Sequence, residues 1–420
     1  MTGAPSRAHS EETALPGFDP TFQPASPFAE TKQRLADIVQ AGRQEILELS
    51  HRIHAHPEPA FEEHRAAGWV AEIVGRHGFA VTHPAGSLAT AVRGRLAGGQ
   101  VGGGDGPRIG ILAEYDALPG LGHGCGHNAM AASGVGAAIA LAALAPDLPG
   151  EIVFLGCPAE ERGSGKQRML DDGLFDGLDA ALLFHPSDRT QVACELLASE
   201  DIEVTFSGLQ AHAASEPWEG KNALDGLVLL LSSIGLWRQQ LPHHARVHGI
   251  VVEGGTAANI IPDRAVGRFM IRSTDQAYFG RMRERFGDLV AAAALASDTS
   301  GEAVFSGGST AMKDNMVLKD RFRANLEAYG WTDEPFDAEH MGSSDMGNVS
   351  LRLPTIHPQL AICDEGVPGH STAFRDAAAE PRADEVTLLA ATLVAQTAYE
   401  LLADPGLVAA AWREFRGEAG

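Results

Sequence analysis

Three short apolar runs, at residues 109–113, 152–156 and 180–184, each lead into ionisable side chains. The first meets Glu114-Tyr115-Asp116. The second meets Glu160-Glu161 by way of Pro158-Ala159, and the third meets His185. Runs this short and apolar read as buried strands. Helical spacing surrounds them. Leu35, Ile38, Val39, Ile46, Leu47, Leu49 and Ile53 mark a helical stretch over 30–78, broken at His56-Pro57-Glu58-Pro59 and resumed at 65–77. Residues 129–145 form a small-residue apolar helix. Further short strands are expected at 79–81 and 90–92, with a glycine-rich turn at 98–106. Strands alternating with helices imply a mostly parallel sheet. The reactive residues of such sheets collect just past the carboxyl ends of the strands.

The texture changes near Leu197. Ile202-Glu203-Val204-Thr205-Phe206 alternates like a strand with one wet face. A helix at 223–239, strands at 247–252 and 265–271, and a helix at 278–296 follow. This β-α-β-β-α order predicts a small α+β domain inserted at 198–309. The first domain is then 29–197 completed by 310–420. Residues 1–28, rich in Pro, Ser and Thr, read as a disordered or extended tail with no apolar signal core.

Bulk composition narrows the partners. The chain has 420 residues, is 44% hydrophobic and carries a formal charge of −23. Such a field disfavours nucleic acid and anionic membrane as partners. No apolar run approaches the roughly 20 residues of a membrane span. Four cysteines, Cys125, Cys157, Cys194 and Cys363, are too sparse for a disulfide framework and fit a reducing compartment, so a cytoplasmic location is expected.

The chemistry-bearing clusters converge on one reading. Glu114 to Pro119 and then His123-Gly124-Cys125-Gly126-His127-Asn128 place carboxylates, a thiol and imidazoles in a glycine-rich loop. Glycine allows the tight bend that brings Cys125 and His127 together. Adjacent carboxylates such as Glu160 and Glu161 repel unless one binds a cation. Gly369-His370-Ser371 supplies another histidine in a late polar loop. Soft and hard donors meeting at one sheet edge suit zinc or manganese. Gly163-Ser164-Gly165-Lys166 is not a phosphate loop, because Glu160 and Gln167 stand where that motif needs Gly and Ser or Thr.

With these residues in order, the chain resembles the M20 metallopeptidase family, in its aminoacylase/amidohydrolase branch that includes aminobenzoyl-glutamate hydrolase-like proteins. The marks are Ile53-His54-Ala55-His56-Pro57-Glu58, the Glu114 and Cys125 segments, Pro158-Ala159-Glu160-Glu161, residues 208–217 with His212, Asn222-Ala223-Leu224-Asp225, Asn259-Ile260-Ile261-Pro262, Ser343-Ser344-Asp345 and Gly369-His370-Ser371. The resemblance implies a two-domain fold with a lid. It implies two divalent metal ions per subunit, zinc or manganese, on Cys125, His127, Glu161, His185 and His370. It makes Glu160 the general base and Asp116 a carboxylate that orients a ligand. His212, Asn259, Arg272 and Ser343 would hold a small amide substrate bearing a carboxylate, and a homodimer would form through the lid. Asn128 stands where many relatives of this branch have aspartate. Two rival readings remain: a cysteine amidase using Cys125 with His127 or His123, and a non-catalytic binding protein of the same fold. The first leaves Glu160, Glu161 and His370 without a task, and the second does not explain why all of them are kept.

Overall fold

The computed structural model describes residues 28–99, 106–193, 195–336 and 341–418. The expected N-terminal tail, most of the glycine-rich turn and Cys194 lie outside these residues.

The chain opens with three helices, α1 (Ala29–Ala41), α2 (Arg43–Ala55) and α3 (His64–Arg76). The strands β1 (Ala80–Thr82), β2 (Val92–Ala97) and β3 (Arg108–Glu114) come next. Then follow α4 (His127–Ala142), β4 (Glu151–Cys157), α5 (Gly165–Asp171), β5 (Ala180–Leu182) and β6 (His185–Ser187). The inserted segment contains β7 (Ala198–Ser207), β8 (Ala211–His212), α6 (Ala223–Trp237), β9 (Ala245–Glu253), β10 (Ile260–Ile261), β11 (Arg264–Ser273), α7 (Gln276–Ala296) and β12 (Ser300–Ser309). The chain returns through α8 (Met316–Glu327), α9 (Met346–Ser350), β13 (Thr355–Ile356), β14 (Gln359–Ala361), α10 (Thr372–Ala377), α11 (Pro381–Ala403) and α12 (Pro405–Arg416).

The main sheet has the order β1-β2-β4-β3-β5-β13. Its β4, β3, β5 and β13 run parallel, and β1 and β2 are antiparallel additions at one edge. This is the expected α/β architecture. β4 is buried along its whole length, and β3 is buried from its second residue on, as parallel strands covered on both faces must be. Helix α4 covers β3 so closely that a Cβ on Gly134 would come within 2.7 Å of the Leu112 carbonyl oxygen. The small residues read in the sequence are what permit that approach. The helix starts at His127, two residues before its expected beginning, because Gly126 takes a left-handed conformation (φ 75°) and turns the loop directly into it.

The inserted segment builds a four-stranded antiparallel sheet, β12-β7-β11-β9. Its last strand, β12, falls outside the expected β-α-β-β-α order. That strand alternates exposed and half-buried residues and carries Gly301, Gly307 and Gly308, so it lacks a strong strand pattern. On β7, Ile202, Val204 and Phe206 face α6 and α7, while Ser199 and Asp201 face the other way.

Buried apolar residues form two clusters, one drawn from 35–196 and 318–411, the other from 198–311. On these two cores we propose 29–197 with 310–420 as one domain and 198–309 as a second, the lid. Helix α11, Pro381–Ala403, is the one helix among the described residues long and apolar enough to cross a membrane, contrary to the reading that no run is. It is 89% buried in its apolar window and packs as the central helix of the larger core against α4.

Candidate metal centre

The carboxyl ends of β3, β4 and β5 deliver side chains to one cleft between the larger core and the lid sheet. Its volume is about 510 Å³, and it is lined by Cys125, Glu160, Glu161, His185, Arg272 and His370 among others. The donor atoms of Cys125, His127 and Glu161 all lie within 4.8 Å of one another, and so do those of Glu114, His127 and Glu160.

His127 shows how the site is built. As the first residue of α4 its backbone is fixed by the left-handed Gly126. Its Nδ1 lies 2.9 Å from the Asp116 carbonyl oxygen and 3.1 Å from Asp116 Oδ1. Two acceptors on one nitrogen place the proton there and turn Nε2 inward. Nε2 lies 3.3 Å from Glu114 Oε2 and 4.0 Å from both Glu161 Oε1 and Glu160 Oε2, with a hydrogen bond to none of them. Asp116 also accepts from the Glu161 backbone N–H at 2.9 Å, so one carboxylate ties the two loops together.

His185 repeats the device. Its Nδ1 is 2.6 Å from the Pro186 carbonyl oxygen, and its ring stands edge-on to His127 with centroids 5.9 Å apart. His370 Nε2 reaches to 3.6 Å from Glu161 Oε2 while its side chain stays 63% exposed, so it closes the site from the solvent side. Its backbone is left-handed (φ 58°), as is Ala159 (φ 58°) immediately before Glu160. Two non-glycine residues in that region within one site mark backbone held under strain by its surroundings.

The electrostatics are those of crowded carboxylates away from water. Burial, then the charges of Glu114, Glu161 and Asp345, push the Glu160 carboxyl well above the usual carboxylate range. Burial, then the Glu161 charge and hydrogen bond, raise the Cys125 thiol strongly. For His127, burial opposes protonation, but the Asp116 hydrogen bond and charge, with Glu114, outweigh it and raise the imidazole well above its ordinary value. Burial lowers His185 to about 4, with the charge of His127 adding to it. A negative pocket that forces protons onto its own ligands is one that cations would relieve. Unpartnered His127 Nε2 and Glu161 Oε1 point into it. The residues therefore fit divalent metal.

Five buried side chains around this site escaped the sequence reading as functional candidates. Lys166 is fully buried and ion-paired to Glu114 and, at 2.5 Å, to Asp345 Oδ1, while its backbone N–H donates to Asp345 Oδ2 at 2.8 Å. Glu63 accepts the backbone N–H of Ala159 at 2.8 Å and that of Phe61 at 2.9 Å, which pins the strained turn before Glu160. His357 follows β13 at the same sheet edge, and the strand-end rule that found His185 points to it as well. Glu114 and Asp345 were read only as parts of motifs.

The lid residues divide. Arg272 on β11 and Ser343 line the cleft. Arg272 shares a face of the lid sheet with Ser199, its partner in register, and with Asp201. His212 and Asn259 do not line the cleft. They sit, exposed, on the two-stranded ribbon of β8 and β10, joined by the Ala213 N–H to the Asn259 carbonyl oxygen at 3.0 Å. The N–H groups of Ala214 and Ser215 both donate to His212 Nδ1, at 3.2 and 3.1 Å. That leaves the proton on Nε2 and makes His212 a donor aimed outward.

A family model described as Peptidase family M20/M25/M40 matches residues 110–392. The chain belongs to this family. It is a hydrolase of amide or peptide bonds. The Xaa-Arg dipeptidase of Mus musculus is 34% identical over 420 residues, covering 95% of each chain. A p-aminobenzoyl-glutamate hydrolase component from Escherichia coli K12 is 31% identical over 322 residues, 71% of this chain and 66% of that protein. Among solved structures, a dinuclear metal binding peptidase of the M20 family from Bacillus subtilis superposes with a TM-score of 0.66 at 19% identity, covering 86% of this chain and 99% of that one. At that identity the likeness speaks for the fold.

Proposed function

We propose that this chain is a metal-dependent amidohydrolase that cleaves the amide bond of a small substrate with a free carboxylate on its leaving amino acid. The substrate class is a dipeptide, an N-acyl amino acid or a p-aminobenzoyl-glutamate-like amide. The observation that carries the reading is the convergence of buried, unpartnered donor atoms of His127 and Glu161 with Cys125, beside a Glu160 whose carboxyl is driven toward protonation. The activities for which the dipeptidase and aminobenzoyl-glutamate hydrolase relatives are named support the substrate class.

Cys125, His127, Glu161, His185 and His370 would hold a pair of divalent ions, zinc or manganese. When bound, these supply Lewis acidity and lower the pKa of a water toward about 7. Glu160 takes the proton of the attacking water and later delivers it to the departing amine nitrogen. Its enclosed position, with a side chain only 10% exposed, keeps that proton out of bulk water. Asp116 holds His127 in one tautomer and one orientation. Arg272 offers a two-point pair to the substrate carboxylate, and Ser343 lines the same space. His212 and Asn259, turned away from their own cleft, serve the cleft of a second copy in a lid-mediated homodimer. The unpaired edge of β9, with Ile250, Val251 and Val252 exposed, supports that assembly. A cytoplasmic location is supported by Cys125, Cys157 and Cys363, all free and buried.

A cysteine nucleophile at position 125 is disfavoured by the same geometry. Its thiol lies with the His127 and Glu161 donor atoms within 4.8 Å of one another, and a thiol nucleophile would leave Glu160, Glu161 and His370 without a task. Chelation separates the two readings. Glycyl-L-arginine, N-acetyl-L-arginine and p-aminobenzoyl-L-glutamate are assayed before and after EDTA, with elemental analysis of the same sample. Activity lost on chelation and restored by zinc or manganese is expected. Full activity in a metal-free sample sinks the proposal.

A further inference from the structure

We propose that His357 is a substrate-contacting residue on the cleft floor that hydrogen-bonds an amino group on the acyl half of the substrate; this rests on the amidohydrolase reading above. His357 is 2% exposed and is among the residues that line the cleft. Neither ring nitrogen has a hydrogen-bond partner among the described residues. The ring stands edge-on to His185, with centroids 5.3 Å apart. Backbone pairing fixes it there: the Leu183 N–H donates to the Ile356 carbonyl at 3.2 Å, and the His185 N–H to the Pro358 carbonyl at 2.9 Å.

His127 and His185 each spend one ring nitrogen on an oxygen of the surrounding chain, and His127 turns the other toward Glu114, Glu160 and Glu161. His357 spends neither. Packing against His185 needs only an aromatic edge, so the unpaired nitrogens ask for a ligand, since a buried polar group left unmatched is costly. Arg272, a cleft cation suited to the leaving amino acid's carboxylate, stands on the lid sheet, and Arg162 lines the same cleft. The floor imidazole is left to read the other half of the substrate. An imidazole lone pair accepts from an amine, and Asp188 on the same lining adds negative charge.

The test compares glycyl-L-arginine with N-acetyl-L-arginine, which lacks the amino group, on the natural chain, His357→Phe and His357→Gln loaded with the same metal. The natural chain should prefer glycyl-L-arginine. His357→Phe should lower kcat/KM for that substrate about 10- to 100-fold through KM and change N-acetyl-L-arginine less than about 3-fold. His357→Gln, which keeps an acceptor, should recover part of the loss. Metal content by elemental analysis should be equal in all three. Equal losses on both substrates, a natural chain that does not distinguish them, or loss of metal from both variants overturns the proposal. A natural chain that cleaves other amides but neither of these overturns it and leaves the amidohydrolase reading standing. A chain with no metal-dependent turnover on any amide fails at that earlier reading.

Discussion

The floor of the cleft and the lid above it hold polar residues in opposite ways. On the floor, His127, Asp116, Glu114, Lys166 and Asp345 are each no more than 2% exposed and are locked to one another before any ligand arrives. On the lid, His212 and Asn259 are exposed, and Arg272 donates to the Met270 sulfur at 3.0 Å and attracts the Asp201 carboxylate beside it. Preorganised dipoles cost no reorganisation at the moment of reaction, whereas loosely held groups gain their partners only when substrate or a second subunit comes. The floor is thus built for chemistry and the lid for recognition. Substitutions in this locked set should act on kcat or on stability, and those at the substrate-contacting groups, Arg272 on the lid and His357, on KM.

The largest effect should come from Glu160→Ala. A general base contributes about 10²- to 10⁴-fold, so kcat should fall by about that factor with metal content unchanged by elemental analysis. Retained turnover would break the assignment of the floor. Lys166→Met comes second. It leaves Glu114 and Asp345 buried beside each other without their cation, and should cost about 3–5 kcal/mol in urea unfolding. A loss below about 1 kcal/mol would mean the cluster is not preorganised.

Glu63 gives a pH test of the same region. Burial, then the Asp116 charge, raise its carboxyl from 4.5 to about 7. The unfolded chain therefore loses this proton first, so the carboxyl's contribution to stability declines as pH rises from about 4.5 to about 7. Glu63→Gln keeps an acceptor for the Ala159 N–H and removes that decline. It should be more stable than the natural chain at pH 8 by roughly 2–3 kcal/mol and about equal at pH 4.5. Parallel stability curves for the two proteins would refute this. On the lid, Arg272→Ala should raise KM about 10-fold for substrates with a free carboxylate and leave kcat within about 3-fold. A matching fall in kcat would erase the distinction between floor and lid.

Much of the floor was legible because its local signals are strong. Cys125-Gly126-His127 reads as a bend, and the left-handed Gly126 makes it one. Glu160 and His185 follow apolar runs, and strand ends are where such sheets place reactive groups. Lys166 was not legible, since a lysine two residues after Ser164 in a polar turn reads as solvated. It is buried only because Asp345, 179 residues later in sequence, folds over it. His357 follows a strand of two residues, too short to show a period. The glycines of β12 hid a strand that exists because β7 offers it an unpaired edge.

What the amino-acid sequence determined by itself was set by short-range physics: apolar periods, glycine bends and the residue types that can share a cation. These give the α/β class and, as candidates, an inserted segment and a set of donors. Tertiary structure decided which donors meet, which nitrogen of each histidine faces inward, and which carboxylates are forced toward protonation. Those properties depend on distances of a few ångströms between segments far apart in the chain and on the exclusion of water, and neither is encoded in any local stretch of residues.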